Sequence, residues 1–142
     1  MFKENFKVTG RVTIQKNGEV VRDIPNTIVT AGKVNIAALI TDAGVKMTHM
    51  AVGTGTTAVD AADTTLQTEN DRNALSVSGG APSSNTIVYT AVWAAGDGTA
   101  AITEAGLFSA SSSGTMLART VFSAVNKGAS DVLTITWTVT IS

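Results

Sequence analysis

The sequence predicts an all-β protein: an antiparallel β-sandwich of about eight strands with one short helix near residues 31–41. Three observations lead there. Leu133-Thr134-Ile135-Thr136-Trp137-Thr138-Val139-Thr140-Ile141 alternates large apolar residues with threonine, the period of a strand with one buried face. The same period recurs in Phe6-Lys7-Val8-Thr9 and Val12-Thr13-Ile14, and Lys16-Asn17-Gly18-Glu19 then supplies an Asn-Gly pair for a tight hairpin turn into Val20-Val21. Turn-forming clusters punctuate the rest: Gly79-Gly80-Ala81-Pro82, Gly96-Asp97-Gly98, Ser111-Ser112-Ser113-Gly114 and Asn126-Lys127-Gly128.

Taken in order after that hairpin, strands are expected at 24–29, 48–53, 72–78, 85–94, 100–108 and 116–124. The exception is Thr30 to Thr41. There Thr30 can cap, Val34, Ala37, Ala38 and Ile40 fall near helical spacing, and Gly44 can stop the chain just beyond. Such a helix would cover an open end or edge of the sandwich. Residues 79–84 read as a hairpin tip. A length of 142 residues suits a single domain, 1–142.

Composition narrows the function classes. Apolar residues make up 44% and charged residues 15% of the chain, enough apolar surface to offset the entropy of ordering it. Cysteine is absent, which excludes a disulfide framework and a thiolate zinc site. The segment Met1 to Lys7 has no apolar core of a signal peptide, and the longest apolar stretch, Val34 to Ile40, is too short to span a bilayer. The expectation is a soluble chain made in the cytoplasm, with no membrane partner. Charge is polarised: residues 1–46 hold seven Lys/Arg against four Asp/Glu, and the remainder holds three against seven. The lysines are spread singly and are not interleaved with aromatics, so a nucleic-acid partner is not expected.

Gly53-Thr54-Gly55-Thr56-Thr57-Ala58 has the form of a dinucleotide fingerprint. That mechanism needs a βαβ unit and a helix N-terminus aimed at the pyrophosphate. Here Asp60 and Asp63 follow where phosphates would lie, and no β-α-β rhythm continues. Gly53 and Gly55 therefore read as residues shaping a strand exit. His49, the sole histidine, falls inside a predicted strand, where a local hydrogen bond suits it better than a catalytic base. Nothing pairs Asp60, Asp63, Glu69, Asp71, Asp97 or Glu104 as glycosidase acids. No EF-hand pattern is present, which leaves a loose surface calcium site near Asp60–Asp71 as the one metal alternative.

Glu104 is different, because it interrupts the apolar strand Ile102-Thr103-Glu104-Ala105-Gly106-Leu107-Phe108. A buried acid needs a partner, and Arg72 and Arg119 are the only arginines beyond residue 22. A structural ion pair of Glu104 with one of them is expected. Tyr89 and Trp93 share one strand face and form a possible ligand-stacking pair or part of the core, while Trp137 belongs to the alternating core face. The outward strand faces are rich in threonine and serine and poor in charge, a surface suited to contact with other chains.

The segments MAVGTGTTAVDAADTTLQTENDR (50–72) and ITEAGLFSASSSGTMLARTVF (102–122), with LTITWTVTIS at the close, resemble small structural proteins of tailed bacteriophages and prophages, described as tail-fibre-like or virion structural proteins. More loosely, GRVTIQKNGEVVRDIPNTIVTAGKVNIAALI (10–40) is similar to that group's opening hairpin and helix. The resemblance implies a non-enzymatic virion component without catalytic residues or cofactors, in which Leu66, Arg72 and Glu104 maintain the fold. It would be made in the host bacterial cytoplasm and assemble as a homo-oligomer with major capsid or tail proteins. It would act as a capsid decoration or cement protein, or as a small tail or fibre-attachment module. Two other classes stand beside it: a carbohydrate-binding receptor-recognition module using Tyr89 or Trp93, and a hydrolase using Glu104 with a second carboxylate.

Overall fold

The computed structural model describes residues 6–142. Its chain order is β1 (Val8–Lys16), β2 (Glu19–Pro25), β3 (Thr27–Ile28), α1 (Thr30–Ile40), β4 (His49–Gly53), β5 (Glu69–Ala74), β6 (Ala81–Ser83), β7 (Thr86–Trp93), β8 (Ala100–Phe108), β9 (Met116–Lys127) and β10 (Leu133–Ile141). These form two five-stranded antiparallel sheets, β2-β1-β10-β7-β6 (sheet A) and β3-β9-β8-β4-β5 (sheet B). The sandwich and its single early helix are those the sequence predicts.

Ten strands replace about eight because two short pieces join the sheets. The expected strand at 24–29 is divided by Asn26 between β2 and the two-residue β3, which changes sheets to pair with β9. The expected tip at 79–84 contains β6: Gly79 and Gly80 make the bend at φ +83° and +80°, and the turn into β7 falls at Ser84. The strand expected at 72–78 lies at 69–74. The Asn-Gly turn stands as expected, with Asn17 at φ 53° and Gly18 at φ +84°, both positive as a type I′ hairpin requires.

Alternation explains the core. Val12 and Ile14 of β1, Ala91 and Trp93 of β7, and Leu133, Ile135 and Trp137 of β10 are fully buried and face sheet B. Sheet B answers with Met50, Val52, Ala105, Leu107 and Ala118. Unlike sheet A, sheet B is also covered on its other face, where Ala51, Phe108 and Met116 pack with Leu66 and Val29. Seven consecutive residues of β8, Ile102 to Phe108, are consequently buried, so the apolar run there reads without alternation.

Helix α1 differs from its expected punctuation. Its N-cap is Val29, not Thr30, and no side chain caps it; Val29 is held by its own N–H donating to Leu117 O at 3.1 Å. At the other end Asp42, at φ 61°, takes the left-handed position assigned to Gly44. Gly32 sets the helix against β9: a Cβ there would stand 2.3 Å from Leu117 O. Asn35, also buried, uses its amide to accept from Val45 N–H and donate to Val45 O, both at 2.8 Å. Asn35→Ala orphans both groups in the segment after the helix and is expected to cost about 1–2 kcal/mol in urea denaturation.

Candidate functional site

The chain leaves β4 at Gly53 and returns as β5 at Glu69, and residues 54–68 between them cover the outer face of sheet B. Register places Gly53 opposite Glu104. It also places Gly106 opposite Arg119, so Glu104 and Arg119 sit diagonally on that outer face.

Glu104 has no exposed surface, and its two oxygens are fully occupied. Oε2 accepts from the N–H groups of Gly55 and Thr68, each at 2.8 Å. Oε1 accepts from Gln67 N–H at 2.9 Å and from Arg119 Nε and Nη2 at 3.1 and 2.9 Å. Burial alone would push this carboxyl up; the backbone N–H groups of Thr68, Gln67 and Gly55 with the Arg119 guanidinium outweigh it and hold Glu104 below the usual carboxylate range. Five donors use the capacity of a carboxylate, which leaves no lone pair to take a substrate proton.

Arg119 extends the network into the loop. Its Nη1 pairs with Asp63 Oδ2 at 2.9 Å and its Nη2 donates to Thr57 O at 3.0 Å. Gln67 Oε1 gathers the N–H groups of Thr56 and Thr57 at 2.8 and 2.7 Å, and Thr103 Oγ1 donates to Gly55 O at 2.7 Å. The loop is thus pinned at 55, 57, 63, 67 and 68 by side chains of β8 and β9. The glycine segment does cradle an anion, and the anion is the protein's own Glu104. Gly53 and Gly55 are needed for that approach: a Cβ on either would fall 2.7 or 2.3 Å from Glu104 Oε2.

Of the two candidate arginines, Arg72 lies elsewhere. It pairs with Glu69 at 2.6 Å, donates to Ala110 O and Ser113 O at 3.0 and 2.9 Å, and stacks over the Phe108 ring at 3.9 Å. Its role is to hold the 109–115 turn against β5. Trp93 is fully buried in the core, so Tyr89 and Trp93 do not form an exposed stacking platform. Tyr89 itself, 8% exposed, borders a cleft beside α1. His49 shares a local hydrogen bond with Thr48 Oγ1 at 2.8 Å.

The acids near 60–71 are engaged within the protein. Asp63 Oδ2 also accepts from Asp60 N–H at 2.9 Å, and among the described residues no three His, Cys, Asp or Glu side chains are grouped to hold a metal ion. Sequence reasoning missed one juxtaposition of acids: burial, with Asp97 nearby, pushes the Asp71 carboxyl up, while the Asn73 amide, which donates to Asp97 at 2.8 Å, holds Asp97 down. They belong to β5 and the β7–β8 turn, 26 positions apart in sequence, and only the fold joins them. Asp63, Gln67 and Thr68 were also unforeseen as partners of the ion pair; Thr68 and Gln67 act there through backbone N–H groups, which carry no residue-type signal.

Fold and site together define a two-sheet antiparallel sandwich whose long β4–β5 loop is stapled over one sheet by an internal ion pair. No family model matches the chain, and neither the curated proteins nor the solved structures contain a match to it. No helix among the described residues is long and apolar enough to cross a membrane.

Proposed function

We propose that the chain is a non-enzymatic structural protein of a tailed-phage virion, a capsid decoration or cement protein or a small tail or fibre-attachment module. In this reading it associates with copies of itself and with major capsid or tail proteins. The observation that carries an assembly role is the outer face of sheet A. Register lays out rows Thr9–Thr140–Thr86, Arg11–Thr138–Val88, Thr13–Thr136–Thr90 and Gln15–Thr134–Val92. The one charge in these rows, Arg11, is paired with Asp23 of β2. A broad face of short hydroxyl and apolar side chains loses little charge hydration or side-chain entropy when another surface covers it. The phage placement itself rests on the resemblance of residues 50–72 and 102–122.

Immunogold electron microscopy of intact phage particles, with antibody to the purified chain, tests this reading. Gold over heads supports decoration, and gold confined to tail or neck supports an attachment module. Particles from a producing lysate that bind no gold overturn the virion reading.

A further inference from the structure

Helix α1 carries Val34, Ile36, Ala37, Ala38, Leu39 and Ile40, yet only Gly32 and Asn35 are buried in it. A helix apolar around its circumference belongs in an interior. Here Ile40 is 83%, Val34 65% and Leu39 42% exposed, and Val45 beyond the helix is 45% exposed. Beside the helix runs a cleft of about 380 Å³ whose floor includes Met47, Ile87, Tyr89 and Val139. A second cleft of about 480 Å³, lined by Phe6, Thr9 and Ala37, shares Val8, Ile36 and Ile40 with the first. The two make one open apolar trough.

Charge along this trough has one sign. Lys46 lines the first cleft, Lys7 and Lys33 line the second, and among the described residues no Asp or Glu lines either. We propose that the trough receives an amphipathic, acidic segment of another protein, its apolar side chains at helical spacing against Ile36, Leu39, Ile40 and Met47 and its carboxylates toward the three lysines. Lysines distributed over both clefts match a ligand with carboxylates along its length better than one anionic headgroup. Among the described residues a second copy of this chain offers no such segment: its helix α1 holds no Asp or Glu, and its acids at 60–71 lie in the loop pinned to Arg119 and in the polar strand β5. The proposal stands on the trough alone and does not need the virion reading.

The test is a titration of isotope-labelled protein, followed by NMR, with a synthetic helical peptide bearing Leu on one face and Glu on its flanks. The same peptide with Lys for Glu is the control. The expected result is shifts confined to α1 and to the lining residues Phe6–Thr9, Val45–Met47, Ile87, Tyr89 and Val139, at least tenfold weaker binding of the Lys peptide, and at least tenfold weaker binding of the Glu peptide to Ile40→Glu and to the triple variant Lys7→Glu, Lys33→Glu, Lys46→Glu. These positions are at the surface of the trough, and near-ultraviolet circular dichroism confirms that each variant keeps its fold. Equal affinity for both peptides, absence of binding, or shifts elsewhere overturns the proposal. So does a self-associating chain that Ile40→Glu renders monomeric in sedimentation, because the trough is then a contact between copies. Binding to anionic vesicles that excess Glu peptide does not displace likewise overturns it in favour of lipid.

Discussion

Glu104→Gln is expected to lower the free energy of unfolding by about 3–5 kcal/mol in urea denaturation monitored by circular dichroism. The amide keeps the volume of the carboxylate, so the loss is electrostatic. Arg119, 2% exposed, would keep only Asp63 as an anionic partner, and the new NH2 group would face backbone N–H donors that had an acceptor. A change within about 0.5 kcal/mol of wild type would refute the assignment of Glu104 as the centre of the loop staple. The pH dependence follows from the same geometry. Because the folded carboxyl lies below its ordinary value, the unfolded chain binds that proton more tightly. The stabilisation is complete above the unfolded carboxylate range and is lost as pH falls through the depressed folded value. Wild-type stability should therefore fall more steeply than that of Glu104→Gln below about pH 5.

Gly53→Ala is expected to cost about 2–3 kcal/mol, for a steric reason. The added methyl would lie 2.3 Å from Thr68 O and 2.7 Å from Glu104 Oε2. Thr68 O accepts from Thr54 N–H at 2.9 Å at the mouth of the loop, so the carbonyl cannot retreat without losing that bond. Because Gly53→Ala and Glu104→Gln disturb one contact, their combined cost in a double-mutant cycle should fall short of the sum by more than about 0.5 kcal/mol. Strict additivity would mean that the glycine and the carboxylate act on separate parts of the fold.

How far the sequence foretells this architecture depends on the range of the interaction. β10 is legible because threonine at every second position marks one wet and one dry face. β8 is recognisable as a strand, but its burial on both faces is not, since the cover comes from residues 54–68 and 29–31. The need of Glu104 for an arginine is legible from burial cost alone. Which arginine answers is decided by the diagonal placement of residues 104 and 119 across β8 and β9, a matter of register. Arg72 stands in the next strand but one and is taken by Glu69 and the 109–115 turn. Trp93 shows the opposite limit: an aromatic on a strand reads alike as core or as ligand platform until the facing sheet is in place. The start of α1 is not legible in its cap residues because the N–H of Thr30 donates to the loop carbonyl Ala61 O and β3 fixes Val29 against Leu117 O, so backbone contacts hold the first turn without the side-chain cap expected from Thr30.

The place of β10 bears on when this protein can fold during its own synthesis. The strand that closes sheet A is made after the other nine strands of the sandwich, yet it lies between β1 and β7, paired along its length with both. Until Leu133–Ile141 leaves the ribosome, β1 with its hairpin partner and β7 with β6 have no common neighbour, and Val12, Ile14, Ala91 and Trp93 have no Trp137 between them. Sheet B needs nothing beyond β9. It can be assembled while sheet A waits, its inner face open to solvent or to a chaperone. Translation arrested before residue 133 would leave a half-sandwich, and the nine residues of β10 would convert it to a closed one.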